Sequence, residues 1–264
     1  MSVHHFSFPT QIHFGPGARH ALPAHFRSVG VQRPLVVTDK GIANLPIATD
    51  LLAALRAGGI TPAIYGGVWG NPTASQVAGG AQAYRDHGAD SVVGFGGGAA
   101  LDVAKAVALM AVHEGEVMQF AWDQPQRRSI EKSLPYFVAL PTTSGTGSEV
   151  GRSAVISDDR THVKKIVFAP ALLAKAVFAD PELTLELPPK ITAATGIDAL
   201  THNIESYLSP AYHPLCDGIA LEGVRIAARA LPIAVRAGHD LRARSDMMMA
   251  SMMGAVAFQK DLGA

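Results

Sequence analysis

The sequence has little cysteine, no excess of charge of either sign and no long unbroken apolar run. Cys216 is the only cysteine, which excludes an internal disulfide and a cysteine-cluster metal site and agrees with a reducing cytoplasm. Lysine plus arginine equal aspartate plus glutamate at 22 each, so no surplus positive field is present to attract nucleic acid or anionic lipid. We therefore expect a cytoplasmic protein without nucleic-acid or membrane partners.

Signals for secretion and membrane insertion are also missing. The N-terminal MSVHHFSFPT lacks a basic segment followed by an apolar one, and prolines and glycines interrupt the uncharged stretch at residues 57–84. With 48% hydrophobic and 17% charged residues, the composition is typical of a globular chain and excludes intrinsic disorder. A length of 264 residues suits one large domain or two smaller ones.

Up to about residue 180, short β-branched runs alternate with apolar segments of helical period, which predicts a mostly parallel sheet covered by helices. An antiparallel hairpin is predicted at 153–156 and 163–168, around Asp158-Asp159-Arg160. The other predicted strands are 33–39, 61–68, 91–95, 136–140 and 175–179, and the predicted helices are 50–57, from the turn at 71–73 to about 87, and 99–113.

Beyond Asp180-Pro181 the β pattern stops and helical periodicity takes over. Pro188-Pro189 suits the first turn of a helix, where proline is tolerated. Helices are predicted at 191–207, 214–237 and 240–260. The sequence thus predicts an α/β domain at 1–184 and an all-α domain at 185–264.

A triple glycine joins one predicted strand to the following helix. At Gly96, Gly97 and Gly98 the missing Cβ atoms would let a diphosphate approach the backbone amides at the helix start, although a tight turn without a ligand explains the glycines equally well. Asp39 ends an earlier strand, where its carboxylate could bind a ribose diol and favour NAD over NADP. Its alternative role is that of an ordinary turn cap.

Two further patterns indicate ligands. The loop at 141–149 carries hydroxyls and glycines after an apolar strand, which suits a phosphate or ribose; the alternative is a mobile linker. Asp198 and His202 are four residues apart and therefore share one face of the predicted helix. They suit a divalent metal such as iron or zinc, but a pair at this spacing is more often a surface interaction, and a catalytic site ordinarily needs three protein ligands.

Together these motifs resemble the iron-containing, group III alcohol dehydrogenases. The resemblance covers the chain almost from end to end and rests on VVTDKG at 36–41, GNPT at 70–73, GGGAALDVAK at 96–105, PTTSGTGSEV at 141–150 and DPELTLELPPKITAATGIDALTHNIE at 180–205. It implies the dehydroquinate synthase-like architecture, in which a Rossmann-like nucleotide-binding domain precedes a helical domain and the active site lies between them.

The resemblance also implies roles for individual residues. Asp39 would bind the adenosine ribose, the triple glycine the diphosphate, and Lys165 or its neighbour Lys164 the nicotinamide-side ribose. Asp198 and His202 would be two of the four ligands of Fe²⁺, with Zn²⁺ as the other candidate. The implied cofactor-binding residues are Asp39, Asn71, Gly96, Gly97, Gly98, Asp102, Thr142, Thr143, Thr146 and Lys165.

Two departures from the family pattern stand out. Ala99 replaces the usual serine after the three glycines, which removes one hydroxyl but leaves the amide donors. The remaining metal-binding histidines and the histidine of proton transfer would lie beyond Ala264, so we expect a truncated or incompletely represented member whose catalytic residue is unknown. His213 and His239 lie in no matching motif and are expected to be surface or core residues.

The activity that the resemblance implies is NAD- and metal-dependent interconversion of a small primary or secondary alcohol and its aldehyde or ketone. A homodimer or larger homo-oligomer is expected. Two alternatives stay open: a related enzyme similar to maleylacetate reductase or glycerol dehydrogenase, and a nucleotide-binding module without turnover.

Overall fold

The computed structural model describes residue 8, residues 10–258 and residue 260. Eight strands and seven helices are found among these residues. The strands are β1 Gln11–Phe14, β2 Pro34–Asp39, β3 Ala63–Val68, β4 Ser91–Gly96, β5 Tyr136–Pro141, β6 Ser153–Ser157, β7 Lys164–Phe168 and β8 Ala176–Ala179. The helices are α1 Leu22–Val29, α2 Pro46–Ala57, α3 Ala74–His87, α4 Gly98–Val112, α5 Pro189–Leu208, α6 Pro214–Arg236 and α7 Leu241–Ala257.

Six of the strands form one parallel sheet in the order β1-β8-β5-β4-β2-β3. Both faces are covered, which explains why β4 and β8 are buried along their whole lengths. From β2 the chain runs outward to β3, then returns to the other side of β2 as β4. The carboxyl ends of β2 and β4 therefore flank the point where strand order reverses, the place at which open α/β sheets bind ligands.

Helix α4 is the centre of the larger core. It is buried on nearly every side, because it packs on the sheet and also against β6 of the antiparallel β6–β7 hairpin. Helices α1 and α2 contribute to a second hydrophobic cluster, which includes Val36, Val93 and Phe178 of the sheet. The hairpin thus lies close to the first turn of α4, where the sheet presents its carboxyl edge.

Helices α5, α6 and α7 pack on one another around an alanine-rich core. Close packing is possible at Gly147, within the threonine loop at 141–149, because a Cβ there would overlap Ala255 and the Ser251 carbonyl of α7. This contact brings the helical region against the carboxyl edge of the sheet. Among the described residues, none of the helices is both long and apolar enough to cross a lipid bilayer.

The predicted α/β fold followed by helices is confirmed, and so is the hairpin. Several details differ. The sequence reading missed β1 and α1, and α2 begins at Pro46 because proline starts a helix well, four residues before the predicted start. Strands β3 and β8 are shorter than predicted at their amino ends, and α7 ends at Ala257.

Candidate functional site

A cavity of about 420 Å³ lies between the carboxyl edge of the sheet and helices α5 and α7. The first turn of α4, the loop at 146–153 and the hairpin form one wall, and Asp198 and His202 lie on the other. Asn71 also lines it. A second cavity, of about 770 Å³, opens between α3 and the segment after α4 but contains none of the predicted site residues. The smaller cavity is therefore the candidate site.

The triple glycine forms a cradle at the start of α4. Gly96 has φ +151°, a backbone conformation that residues with a side chain rarely adopt. A Cβ on Gly98 would lie 2.7 Å from the Thr146 side chain, and one on Gly97 would lie 3.2 Å from Thr143 Oγ1. No side chain caps the first turn of α4, so its amides are available to an anion. Ala99 lines the cavity and leaves these donors in place.

Asp39 lies beside this cradle. One carboxylate oxygen, Oδ1, accepts a hydrogen bond from the Ile42 amide at 2.9 Å, and Oδ2 lies 3.3 Å from the position that a Gly96 Cβ would occupy. The side chain thus caps the turn after β2 with one oxygen and faces the glycine turn with the other. The turn-cap reading is found in the structure; a role in binding ribose stays a prediction.

The threonine loop packs closely and is not a free linker. Thr143 and Thr146 contact the glycine turn, and Thr146 also lines the cavity. Thr142 is buried beneath the loop, and its Oγ1 has no hydrogen-bond partner among the described residues. The three threonines therefore lie along the same wall as the glycine cradle, at different depths.

A partly buried polar network holds this wall together. Asp102 on α4 accepts hydrogen bonds from Ser148 Oγ at 2.6 Å and from the Val155 amide at 3.0 Å. Lys105, one turn further along α4, donates from Nζ to Ser148 Oγ and to the Ser153 carbonyl oxygen, both at 2.7 Å. The network connects α4, the loop and the hairpin, which are far apart in sequence.

Two members of this region were missed by the sequence reading. Burial lowers the pKa of the Lys105 ammonium, while Asp102 and Glu149 oppose that shift. Burial raises the pKa of the Glu149 carboxyl from 4.5 to about 7, and its Oε1 has no hydrogen-bond partner among the described residues. A signal for Lys105 was present, because it lies three residues after Asp102 in a helix that is otherwise apolar, where a charged side chain must be buried and paired.

The two candidate lysines are on opposite sides of β7. Lys165 forms an ion pair with Asp123 on the neighbouring loop and does not line the cavity. Lys164 lines the cavity and has no ion-pair partner within the described part of the chain. Because adjacent residues on a strand face opposite sides, only one of the two can point into the site. The structure places Lys164, and not the predicted Lys165, on its wall.

Asp198 and His202, on α5, line the same cavity from the opposite side. His202 Nε2 lies 3.4 Å from Asp198 Oδ1, and the Phe258 ring packs edge-on against His202 with centroids 4.6 Å apart. His202 Nδ1 is buried without a hydrogen-bond partner among the described residues. Within the described ranges, no third histidine, cysteine or carboxylate joins the pair to complete a metal-binding group.

The remaining histidines of the helical region lie outside the cavity. His213 is buried at the start of α6, with its Nε2 3.4 Å from Cys216 Sγ. His239 is exposed and lies 3.9 Å from Glu186. These are the core and surface positions expected of them.

Comparisons with known proteins match almost the whole chain. The profile described as "Iron-containing alcohol dehydrogenase" matches residues 9–181, and "Fe-containing alcohol dehydrogenase family, C-terminal" matches residues 192–263. The 4-hydroxybutyrate dehydrogenase of Cupriavidus necator is 44% identical over 256 residues, which cover 96% of this chain and 66% of that protein.

Solved structures of other proteins superpose closely on this fold. A crystal structure of 1,3-propanediol oxidoreductase superposes with a TM-score of 0.91 at 35% identity, over 97% of this chain and 66% of that one. The sulfoacetaldehyde reductase from Bifidobacterium kashiwanohense, solved in complex with NAD⁺, gives 0.88 at 30% identity, over 98% and 67%. The chain spans about two-thirds of the length of these relatives.

Proposed function

Because the chain belongs to the iron-containing alcohol dehydrogenase family, we propose that it binds NAD and interconverts a small primary or secondary alcohol and its aldehyde or ketone by hydride transfer. One observation carries the proposal. The glycine cradle and the Asp198–His202 pair lie on opposite walls of one cavity, where a nicotinamide ring and an alcohol oxygen could meet.

The residues of the glycine wall fit NAD. The cradle would fill if Gly97 or Gly98 carried a side chain, so the free space there is available to a diphosphate. The uncapped amides of α4 donate to its oxygens, with Thr142, Thr143 and Thr146 along the loop side. Asp39 binds the adenosine ribose through the oxygen that faces Gly96, and its charge disfavours the 2′-phosphate of NADP.

Other residues orient the nicotinamide end. Lys164 binds its ribose, since the Lys165 side chain is held by Asp123 instead. Asn71 and Asp102 line the cavity on the cofactor side. Phe168, Phe258 and Val155 make part of the wall apolar, which excludes water from the space where hydride moves between two carbon atoms.

The metal side fits in donor chemistry but is incomplete within the described residues. Asp198 Oδ1 and His202 Nε2, which lie 3.4 Å apart, are the donor types that Fe²⁺ or Zn²⁺ accepts. When bound by these two side chains and the further ligands that the family resemblance implies, the ion supplies Lewis-acid polarisation of the alcohol oxygen. None of the described residues is assigned to proton transfer.

We further propose that residues 1–184 and 185–264 are two domains, and that the protein is cytoplasmic and forms a homodimer or larger homo-oligomer. The substrate is a small alcohol or aldehyde. Relatives that act on 4-hydroxybutyrate and 1,3-propanediol make these two alcohols the first to test.

The test combines binding and turnover. NADH fluorescence is titrated against the 264-residue chain, and NADH oxidation is then followed with short aldehydes, with and without added Fe²⁺ or Zn²⁺. Saturable binding with metal-dependent turnover supports the proposal, whereas binding without turnover at any metal concentration favours the nucleotide-binding module. Turnover only with a maleylacetate- or glycerol-type substrate favours a related family activity.

A further inference from the structure

We propose that Lys105 is a positioning residue for the cofactor: from behind the cavity wall, it holds Ser148 and Asp102 in the arrangement that receives NAD. The inference rests on the proposed NAD site. Lys105 does not line the cavity and so touches neither cofactor nor substrate. Its effect would pass through two residues that do line it, Ser148 and Asp102.

The geometry of the ammonium group supports this role. Nζ donates to Ser148 Oγ, and Ser148 Oγ in turn donates to Asp102 Oδ1, so the lysine orients the hydroxyl proton toward the carboxylate. Nζ also holds the Ser153 carbonyl, which fixes the start of β6. One buried group thereby sets the spacing of the three segments that form the cofactor wall.

The positive charge of Lys105 also compensates the negative charge of Asp102. Its Nζ lies 3.6 Å from Asp102 Oδ1, on the wall that would face a doubly negative diphosphate. An Asp102 carboxylate without a cation behind it would repel such a ligand. Lys105 is almost wholly buried, so solvent screens this compensation less than it would screen a surface pair.

The chain offers a matched control. Lys260 is also buried, and it pairs with Asp217 at 2.7 Å and donates to the Tyr207 carbonyl, outside the cavity. Lys105→Met and Lys260→Met therefore remove the same charge from two buried, hydrogen-bonded sites. Only the first is connected to the cofactor wall.

The experiment is NADH titration of the full chain by fluorescence, with thermal unfolding measured in parallel. We expect Lys105→Met to raise the Kd of NADH by about tenfold or more, a loss typical of charged hydrogen bonds, and Lys260→Met to leave it within about twofold. The double variant Lys105→Met/Asp102→Asn should recover part of the lost affinity, because it removes the charge that needed compensation. A lysine with only a structural role would shift the unfolding temperature without this recovery.

The other possible results distinguish failure of the proposed function from failure of the positioning role. If the unaltered chain binds no NADH, the proposed function fails and this inference fails with it. If the unaltered chain binds NADH and Lys105→Met binds equally well, only the positioning role is overturned. If Lys105→Met does not fold, Ser148→Ala and Ser148→Thr decide: loss of affinity in the first and its retention in the second support the role, and equal affinity in both overturns it.

Discussion

The two walls of the cavity differ in how their polar groups are held. On the cofactor wall, Asp102, Lys105 and Ser148 hydrogen bond one another and join three segments of the chain. On the α5 wall, among the described residues, the Asp198 and His202 side chains have only each other as polar partners. The cofactor wall is therefore preorganised by this chain's own contacts. The α5 wall, in contrast, presents donor atoms whose binding capacity is not yet used.

This difference has a functional consequence. Cofactor affinity should depend on packing and hydrogen bonds that are already formed, and it should survive loss of the metal donors. Metal affinity of the 264-residue chain should be weak, because the two donors found among the described residues give far less binding free energy than a complete coordination shell. The predictions below test the contrast, beginning with the largest expected effect.

Gly98→Val should abolish NADH binding, with the Kd rising on the order of a hundredfold or more, because the new side chain overlaps Thr146 and fills the diphosphate cradle. The measurement is fluorescence titration. Gly218→Ala in α6 is the control, since a Cβ there meets nothing within 4 Å. That variant should bind NADH normally and gain about 0.5–1 kcal/mol in unfolding free energy. Equal NADH affinity in both variants would contradict the cradle.

Glu149 should make folding stability fall as pH rises. Its pKa is raised from 4.5 to about 7 by burial, so the folded state keeps a proton that the unfolded state loses above pH 4.5. The stability from the protonated carboxyl is fully present below pH 4.5 and is lost as pH rises through about 7. Glu149→Gln should remove this dependence.

The measurement is denaturant unfolding of both proteins at pH 5 and pH 8. From pH 5 to pH 8, the unfolding free energy of the unaltered chain should fall by on the order of 2 kcal/mol more than that of Glu149→Gln. A parallel pH dependence in the two proteins would show that another group is responsible.

His202→Ala should affect metal binding and leave NADH binding nearly unchanged. Residual Zn²⁺ binding, measured by calorimetry, should disappear, because the substitution removes one of the two donors that the described part of the chain provides. The NADH Kd should stay within about threefold, since His202 is outside the network of the cofactor wall. His239→Ala, at an exposed histidine outside the cavity, should change neither quantity. Loss of NADH binding in His202→Ala would mean that the walls are not independent.

The smallest effect concerns the two lysines of β7. Lys164→Met should weaken NADH binding by about three- to tenfold, less than the loss of a buried charged hydrogen bond because solvent screens the exposed Lys164, while Lys165→Met should stay within about twofold. Parallel titrations of the two variants provide the measurement. The opposite ranking would return the ribose-binding role to Lys165.

Sequence reasoning succeeds here where one local pattern determines the structure. The glycine turn, the threonine loop and the Asp198–His202 spacing each depend on a few neighbouring residues, and the structure brings all three to one cavity. Helices with clear starts, such as the one that begins after Pro188, were located closely for the same reason.

Other features depend on contacts between distant parts of the chain. Strand β1 is four residues long and is recognisable only by its pairing with β8, which lies about 165 positions later. The choice between Lys164 and Lys165 depends on which face of the hairpin is turned toward the cavity. The local sequence does not predict that orientation. Lys105 and Glu149 are neighbours only after α4 has packed beneath the loop.

NADH titration of the unaltered 264-residue chain, with a metal chelator present, tests the central claim most directly. We expect saturable binding of one NADH per chain, unchanged by the chelator and lost in Gly98→Val. No saturable binding, or binding that Gly98→Val retains in full, would contradict a dinucleotide site at the glycine turn.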